Sequence, residues 1–285
     1  MKVKEIYQKL EKDFNLDQCS DDWSQMDFNE FICDNFNERY MGLVLDNTEV
    51  IEKVYTAVFP SDKVLKEILD KGENNILIFT HHPSTWDTTV SGFPFKDMSK
   101  DLLIKLKEKN ISLYCLHVPL DANGDFSTTV NYAKEIGVSY DEDFAEYYGV
   151  QVGVIGRTKL NALEELVNMV EKAVGHKVKS LKYGSDNIAN QKIAVVAGGG
   201  NDPEILKELL GKGIKTYVTG IVSAIGGYPP AVEFNSLAKE NKINVIGSSH
   251  YSSEKFACIK MLDYFEALGI KASFVEDKPD LGDIV

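Results

Sequence analysis

Three histidines and two carboxylates stand where their side chains could share an ion. His81 and His82 follow an unbroken run of apolar and β-branched residues, Ile76–Thr80, and precede Pro83. Such a run suits a strand buried on both faces. The proline has no N–H for a ladder and disfavours helical geometry at His82, so it helps to end the strand. Neighbouring side chains on a regular strand point to opposite faces, so both rings can serve one site only where the strand is ending. Asp121 follows a second apolar run, Ile111–Leu116, through the segment His117-Val-Pro-Leu. His250 and Glu254 are four residues apart at the start of a long helical pattern, which puts their Cβ atoms about 5–6 Å apart on one face. Five mixed nitrogen and oxygen donors exceed what one tetrahedral zinc needs. They suit two ions bridged by a carboxylate and a water. In such centres, with metals roughly 3.5–4 Å apart, the water becomes a hydroxide nucleophile and both ions steady the developing oxyanion. Zinc, iron or manganese would accept this donor set.

The elements that must position these donors read as alternating strands and helices. Lys4–Phe14 has Ile6, Leu10 and Phe14 on one helical face. Val54–Phe59 reads as a strand, Ser61 as an N-cap, Val64, Leu65, Ile68 and Leu69 as a helical stripe ended by Gly72, and Ile76–Thr80 as the next strand. That crossover makes the two strands parallel. A helix from Ser99 to Lys109 leads to the strand Ile111–Leu116. If parallel to the first, this strand delivers His117 or Asp121 to the same carboxyl edge, where open α/β sheets bind ligands. Thr128–Ile136 is helical and capped by Gly137. Val150, Val152 and Val154 alternate as in a half-buried strand of a second, differently built sheet. A helix over Ala162–Val174, the segment Val178–Leu181, a polar stretch through Asn190, strands at Ile193–Ala197 and beginning at Thr216–Thr219, and a helix after Pro203 complete that part. The second domain is placed at 137–228, leaving 1–136 and 229–285 for the metal-binding α/β domain. Ile243–Ile246 is the strand before His250, and the tail after Lys271 is expected to be peripheral. The acidic and aromatic stretch from Asp17 to Asn37, with Asp21, Asp22, Trp23, Asp27, Phe28, Phe31 and Phe36, shows no period and receives no role.

Bulk properties narrow the class. The chain has 285 residues, 44% hydrophobic and 26% charged, as in globular proteins with one large or two modest domains. No apolar run reaches membrane-spanning length and no signal-peptide pattern follows Met1, so a cytoplasmic protein is expected. A formal net charge of −13 opposes nonspecific attraction to nucleic acid and to anionic lipid. The four cysteines, Cys19, Cys33, Cys115 and Cys258, lack paired spacing and indicate neither a disulfide framework nor a thiolate zinc site. Asp121-Ala-Asn-Gly-Asp125 begins like a calcium loop, but Phe126 and Tyr132 stand where glycine and glutamate are needed. Gly198–Gly200 matches neither the dinucleotide fingerprint nor the Walker loop. A tight turn, with Asp202 as N-cap and Pro203 at the first helical position, accounts for it, although a helix N-terminus there could admit an anion. His117 and His176 have structural readings at least as good as ligand ones, with His117 able to orient a ligand through a hydrogen bond.

Taken in order, Thr80-His-His-Pro83, His117-Val-Pro-Leu-Asp121-Ala, Gly198-Gly-Gly, Thr219-Gly220 and His250-Tyr-Ser-Ser-Glu254 resemble the dinuclear-metal-centre proteins known as GTP cyclohydrolase I type 2 homologues, the NGG-one-interacting-factor-three family. The resemblance runs from about Tyr40 to Ile270. It implies two interlocked α/β domains with mainly parallel or mixed sheets, the second inserted in the first, and a toroidal homohexamer with its metal sites facing an internal cavity. Carried over residue by residue, it places the ligands on His81, His82, Asp121, His250 and Glu254, with Glu254 as the bridge. The chain departs from the family pattern in having Ser249 where glycine usually precedes the last histidine. It also has Ile221 where an acidic residue commonly follows Thr-Gly, and Tyr40-Met-Gly-Leu43 where the family has a longer Asp-Asn-containing segment. The resulting expectation is a metal-dependent hydrolase with two divalent ions per chain, acting on a small and unknown, nucleotide-like molecule. A metal-bound hydroxide would be its nucleophile, and Asp87 and His117 are candidates for the general acid. The alternatives are a non-catalytic metal-binding or regulatory hexameric scaffold and a nucleotide binder using Gly198–Gly200.

Overall fold

The computed structural model describes residues 2–26 and 30–285, so Asp27 and Phe28 of the acidic and aromatic stretch lie outside the described residues. In chain order the strands of its two main sheets are β1 Gly42–Leu45, β2 Lys53–Ala57, β3 Ile76–Thr80, β4 Ile111–Cys115, β5 Glu142–Tyr147, β6 Val150–Arg157, β7 Lys179–Leu181, β8 Lys192–Val196, β9 Thr216–Thr219, β10 Asn244–Gly247 and β11 Lys271–Phe274. The α-helices are α1 Val3–Asp13, α2 Asp34–Arg39, α3 Asp62–Asp70, α4 Lys100–Glu108, α5 Val118–Asp121, α6 Thr128–Glu135, α7 Leu163–Val174, α8 Pro203–Gly211, α9 Pro229–Glu240 and α10 His250–Ala267. The fold is mixed α/β, and the chain divides into two compact units: Met1–Leu120 with Cys258–Lys278, and Asp121–Ala257 with Pro279–Val285. Among the described residues no helix is long and apolar enough to cross a membrane.

The first unit is built on the sheet β1-β4-β3-β2-β11. β11, β2, β3 and β4 run parallel, and β1 closes the edge antiparallel with a register shift between Leu43 and Leu45. All five residues of β3 are buried, as their uninterrupted apolar character demands. Ile76 and Ile78 meet a cluster containing Val64, Leu65 and Ile68 of α3 and Leu102, Leu103 and Leu106 of α4. The opposite face carries Phe79, whose ring lies 5.6 Å from that of Phe265 in α10, and Tyr114 stacked on Tyr7 of α1 at 5.4 Å. The Ser61 hydroxyl accepts from the Val64 N–H and starts α3; Gly72, at φ +69°, ends it.

The second unit has the sheet β5-β6-β8-β9-β10-β7, with β8, β9 and β10 parallel and the other neighbours antiparallel. α6 and α7 cover the face bearing Val154, Ile193, Val195, Val218 and Ile246; α8 and α9 cover the face with Ile155, Ala194, Val196, Tyr217 and Val245. β10 pairs residue by residue with β9, Thr216 opposite Asn244 through Thr219 opposite Gly247. This strand and the two turns that follow it therefore belong to the second unit, although the sequence reading placed 229–285 with the first. The reading of β6 as half-buried also needs correction. Val152 through Gly156 are all buried, because β6 lies between β5 and β8 and its glycines admit neighbours to the other face. A Cβ on Gly153 would meet the Phe144 ring at 2.5 Å.

The tail after Lys271 is not peripheral. β11 is a strand of the first sheet, Val275 is buried, and Ile284 packs into the core of the second unit.

Candidate metal centre

The first unit gathers three imidazoles. His81 and His82 leave the carboxyl end of β3 and extend its pairing past β2, with His81 N–H donating to Ala57 O at 3.3 Å and His82 N–H to Val58 O at 3.0 Å. Both are buried, with 0% and 1% exposure. His117 follows the neighbouring parallel strand β4, so the sheet itself brings the third ring alongside. Ring centroids are separated by 4.4 Å for His81 and His82, 4.7 Å for His82 and His117, and 5.1 Å for His81 and His117. One donor atom from each of the three lies within 4.8 Å of the other two.

Hydrogen bonds choose the nitrogen that each ring presents. His81 Nδ1 lies 2.9 Å from the carbonyl oxygen of Leu116. A carbonyl only accepts, so Nδ1 carries the proton and Nε2 holds the lone pair. His117 Nδ1 lies 2.9 Å from Asp21 Oδ2. The same oxygen accepts from Trp23 Nε1 at 3.0 Å, and the Asp22 N–H donates to Asp21 Oδ1 at 2.8 Å. Aromatic rings wall the cluster: Phe59, Phe95 and Trp23 lie 4.7, 5.5 and 5.8 Å from the His82 ring. Asp21 and Trp23 were missed in the sequence because the 17–37 stretch has no period, and nothing in it announces a partner ninety-six residues away.

The second unit holds candidate donors of its own. β10 ends at Gly247, and after Ser248 and Ser249 the chain enters α10 at His250. His250 Nε2 and Glu254 Oε1 are 3.1 Å apart, as their i, i+4 spacing predicts, and both are buried. Asp283 Oδ2 accepts the His250 N–H at 2.8 Å, satisfying a donor at the start of the helix. Asp121 ends the short helix α5 half-buried, with Oδ1 accepting from Thr128 Oγ1 at 2.7 Å.

Gly198 explains the glycine run. At φ +69°, its missing side chain leaves the space taken by Glu254; a Cβ there would stand 2.2 Å from Oε1. The Gly198 N–H donates to Ser253 Oγ at 2.9 Å, and the carboxylate of Asp202 caps α8 through the Glu204 N–H at 2.8 Å. The loop thus seats a carboxylate, which argues against an anion at the same glycines. Asp87, a candidate acid, is held below the usual carboxylate range by hydrogen bonds from the side chain and N–H of Thr89. It is ionised at neutral pH and so is poorly suited to donate a proton. His176 has a structural role: Nδ1 donates to Lys177 O, and Nε2 accepts from the buried Ser252 hydroxyl, both at 2.8 Å.

The donor chemistry fits divalent transition metals. Imidazoles fixed by a hydrogen bond at the second nitrogen and carboxylates seated by backbone and hydroxyl groups are what such ions recruit. A mixed α/β protein with buried histidine and glutamate donors at strand ends is the class defined so far.

Comparison with known proteins makes the assignment narrower. The chain belongs to the Duf34/NIF3 (NGG1p interacting factor 3) family, whose model matches residues 1–280. It is 30% identical over 238 residues to a GTP cyclohydrolase 1 type 2 homolog of Archaeoglobus fulgidus, covering 82% of this chain and 88% of that one. A protein of the same description from Pyrococcus horikoshii is 28% identical over 236 residues, covering 81% and 87%. Among solved structures, the protein ybgI, of unknown function, superposes with a TM-score of 0.75 at 19% identity over 98% of this chain and all of that one. TTHA1606 of Thermus thermophilus superposes with a TM-score of 0.70 at 22% identity over 99% of this chain and all of that one. These likenesses establish the fold.

Proposed function

We propose that His81, His82, Asp121, His250 and Glu254 together hold two divalent ions, zinc, iron or manganese, and that the chain is a metal-dependent hydrolase of a small, nucleotide-like molecule. The observation that carries the reading is the preset state of its donors. His81 is fixed with Nε2 as its lone-pair nitrogen, and the Glu254 carboxylate is seated against Gly198 beside His250. Two supports come from the chain itself. Asp121 stands one helical turn after His117. α10, which begins with His250 and Glu254, is unbroken to Ala267. The name carried by the curated relatives, GTP cyclohydrolase 1 type 2 homolog, supports a nucleotide-like substrate.

When bound, such ions supply a hydroxide nucleophile from water at neutral pH and positive charge for the developing oxyanion. The residues of the chain do the rest. The imidazoles and carboxylates orient the donor atoms, and the Trp23, Phe59 and Phe95 rings exclude water from the His82 side, which strengthens local electrostatics. A cytoplasmic location and a homohexamer belong to the same proposal.

Elemental analysis of protein purified without an affinity tag tests the metal. About two transition-metal ions per chain are expected, falling toward one or none in His250→Ala/Glu254→Gln. A nucleotide and phosphoester panel, read with and without chelator, tests turnover. A metal-loaded protein inert across the panel would favour the regulatory scaffold. A protein that takes up no metal would refute both.

A further inference from the structure

We infer that Asp283 is a positioning residue: it closes the turns around His250 and Glu254 into one rigid seat, and through it the segment Pro279–Val285 sets how tightly that pair holds a divalent cation. The inference rests on the proposal that His250 and Glu254 ligate metal, and it assigns a role to a segment that the proposal leaves unused.

Hydrogen bonds join the carboxyl ends of three parallel strands in the second unit. After β8, the Gly198 carbonyl accepts from the Ile221 N–H at 3.0 Å; after β9, the Gly220 carbonyl accepts from the N–H groups of Ser248 and Ser249, both at 3.0 Å. Gly198 seats the Glu254 carboxylate, and Ser249 leads into His250. Asp283 adds two further ties from one residue. Its carbonyl accepts from the Val222 and Ser223 N–H groups at 3.1 and 3.0 Å, and its carboxylate accepts from the His250 N–H at 2.8 Å. The turn after β9 and the first residue of α10 are thereby held to a common point. That point is itself fixed: Asp283 is fully buried, Ile284 packs in the core at 6% exposure, and the Asp280 carboxylate accepts from the Gly282 N–H at 3.0 Å.

Capping alone does not account for this arrangement. Serine is a favoured N-cap residue, and Ser249 stands where its hydroxyl could cap α10. It lies instead at φ +77°, outside the extended region that an N-cap occupies, and its hydroxyl makes no hydrogen bond among the described residues. The acceptor is a carboxylate thirty-three residues further on. Burying a full negative charge is costly, and a neutral oxygen would accept a backbone N–H. The helix dipole offsets part of that cost. A cation on the neighbouring imidazole and carboxylate offsets more, because charges interact strongly where water is excluded. The bond to the His250 N–H also fixes the backbone of the ligand residue, and a site loses affinity when the shell that holds its donors is loose.

Zinc binding by the full chain, measured by elemental analysis and by competition with a chromogenic chelator, tests this. In Asp283→Ala, one of the two ions should transfer at chelator concentrations about 10–100-fold lower than in the unaltered chain, while circular dichroism shows a folded protein. Asp283→Asn keeps an accepting oxygen without the charge, so its affinity should lie between the two. Ser61→Ala removes the cap of α3 in the first unit; it should lower the urea midpoint, as Asp283→Ala does, and leave zinc affinity unchanged. A merely structural Asp283 predicts a lower midpoint with zinc affinity intact, and that result overturns the inference while the five-ligand proposal stands. Equal losses of affinity in Ser61→Ala and Asp283→Ala overturn it as well. Where Asp283→Ala does not fold, Asp283→Asn decides: an affinity equal to that of the unaltered chain refutes the inference. If the unaltered chain binds no zinc, both the inference and the proposal fall.

Discussion

Replacing Ser249 with glycine should stabilise the protein, although the residue directly precedes a proposed ligand. Ser249 sits at φ +77° between β10 and α10. In that left-handed region an L side chain crowds the following carbonyl, costing about 1–2 kcal/mol. The residue is fully buried, and its hydroxyl has no hydrogen-bond partner among the described residues, which adds about 1 kcal/mol or more. Glycine removes both penalties. Against this, its unfolded chain has more freedom, which costs about 0.4–1 kcal/mol, and the small void left by the hydroxymethyl group costs a few tenths more. The balance favours Ser249→Gly by roughly 1–2 kcal/mol, or about 2–5 °C in Tm for a chain of this size. The Ser249 N–H bond to Gly220 O is unaffected, since it belongs to the backbone. Urea denaturation monitored by circular dichroism should show a higher midpoint with an unchanged slope, while metal content stays as in the unaltered protein. A lower midpoint would refute the account. It would mean that the serine side chain contributes an interaction outweighing its strained backbone.

Other expectations follow from neighbouring contacts. Gly198→Ala places a methyl 2.2 Å from Glu254 Oε1, so the carboxylate must move; elemental analysis should show loss of bound metal out of proportion to any fall in Tm. Asp283→Ala removes the acceptor of the His250 N–H and should cost about 1–2 kcal/mol in chemical denaturation, as N-cap losses do. At high pH the buried phenols govern stability. Burial raises the pKa of Tyr7, Tyr114, Tyr132 and Tyr217 above the ordinary value. The folded chain therefore keeps protons that the unfolded chain releases. This contribution to stability is complete below about pH 10 and is lost as pH rises beyond it. Thermal melts from pH 8 to 11.5, with phenolate absorbance as the parallel readout, should show Tm falling only above about pH 10, together with a cooperative rise in phenolate.

The strand–helix–strand rhythm of the first unit was legible because its physics is local. Ile76–Thr80 is apolar at every position, Ser61 caps and Gly72 terminates, and the parallel pairing of β2, β3 and β4 follows from the crossovers. The i, i+4 contact of His250 and Glu254 was equally readable, since helix geometry alone sets it. Non-local facts were hidden. That β10 joins the second sheet depends on its match to β9, which no pattern within Asn244–Gly247 reveals. β5 was obscured by Glu142, Asp143 and Glu146, charges that face solvent on an edge strand, and by a Tyr148-Gly149 turn in which the tyrosine adopts φ +45°. The glycine at 198 looked like turn chemistry until the Glu254 carboxylate was seen against it. Asp283 lies in a tail too polar to suggest burial, yet its charge is useful there because it meets the N-terminus of α10.

The position of β11 has a consequence for synthesis. β2 ends at Ala57, and the strand that covers its outer edge starts at Lys271, more than two hundred residues later. At ribosomal rates of about 5–20 residues per second, that edge stays open for roughly 10–40 s in each nascent chain. An uncovered ladder of mostly buried-type residues is a template for pairing with another chain. Crowded polysomes making this protein therefore carry a window for misassembly that closes only when the fifth strand is laid down, and nascent-chain chaperones would be expected to act within it.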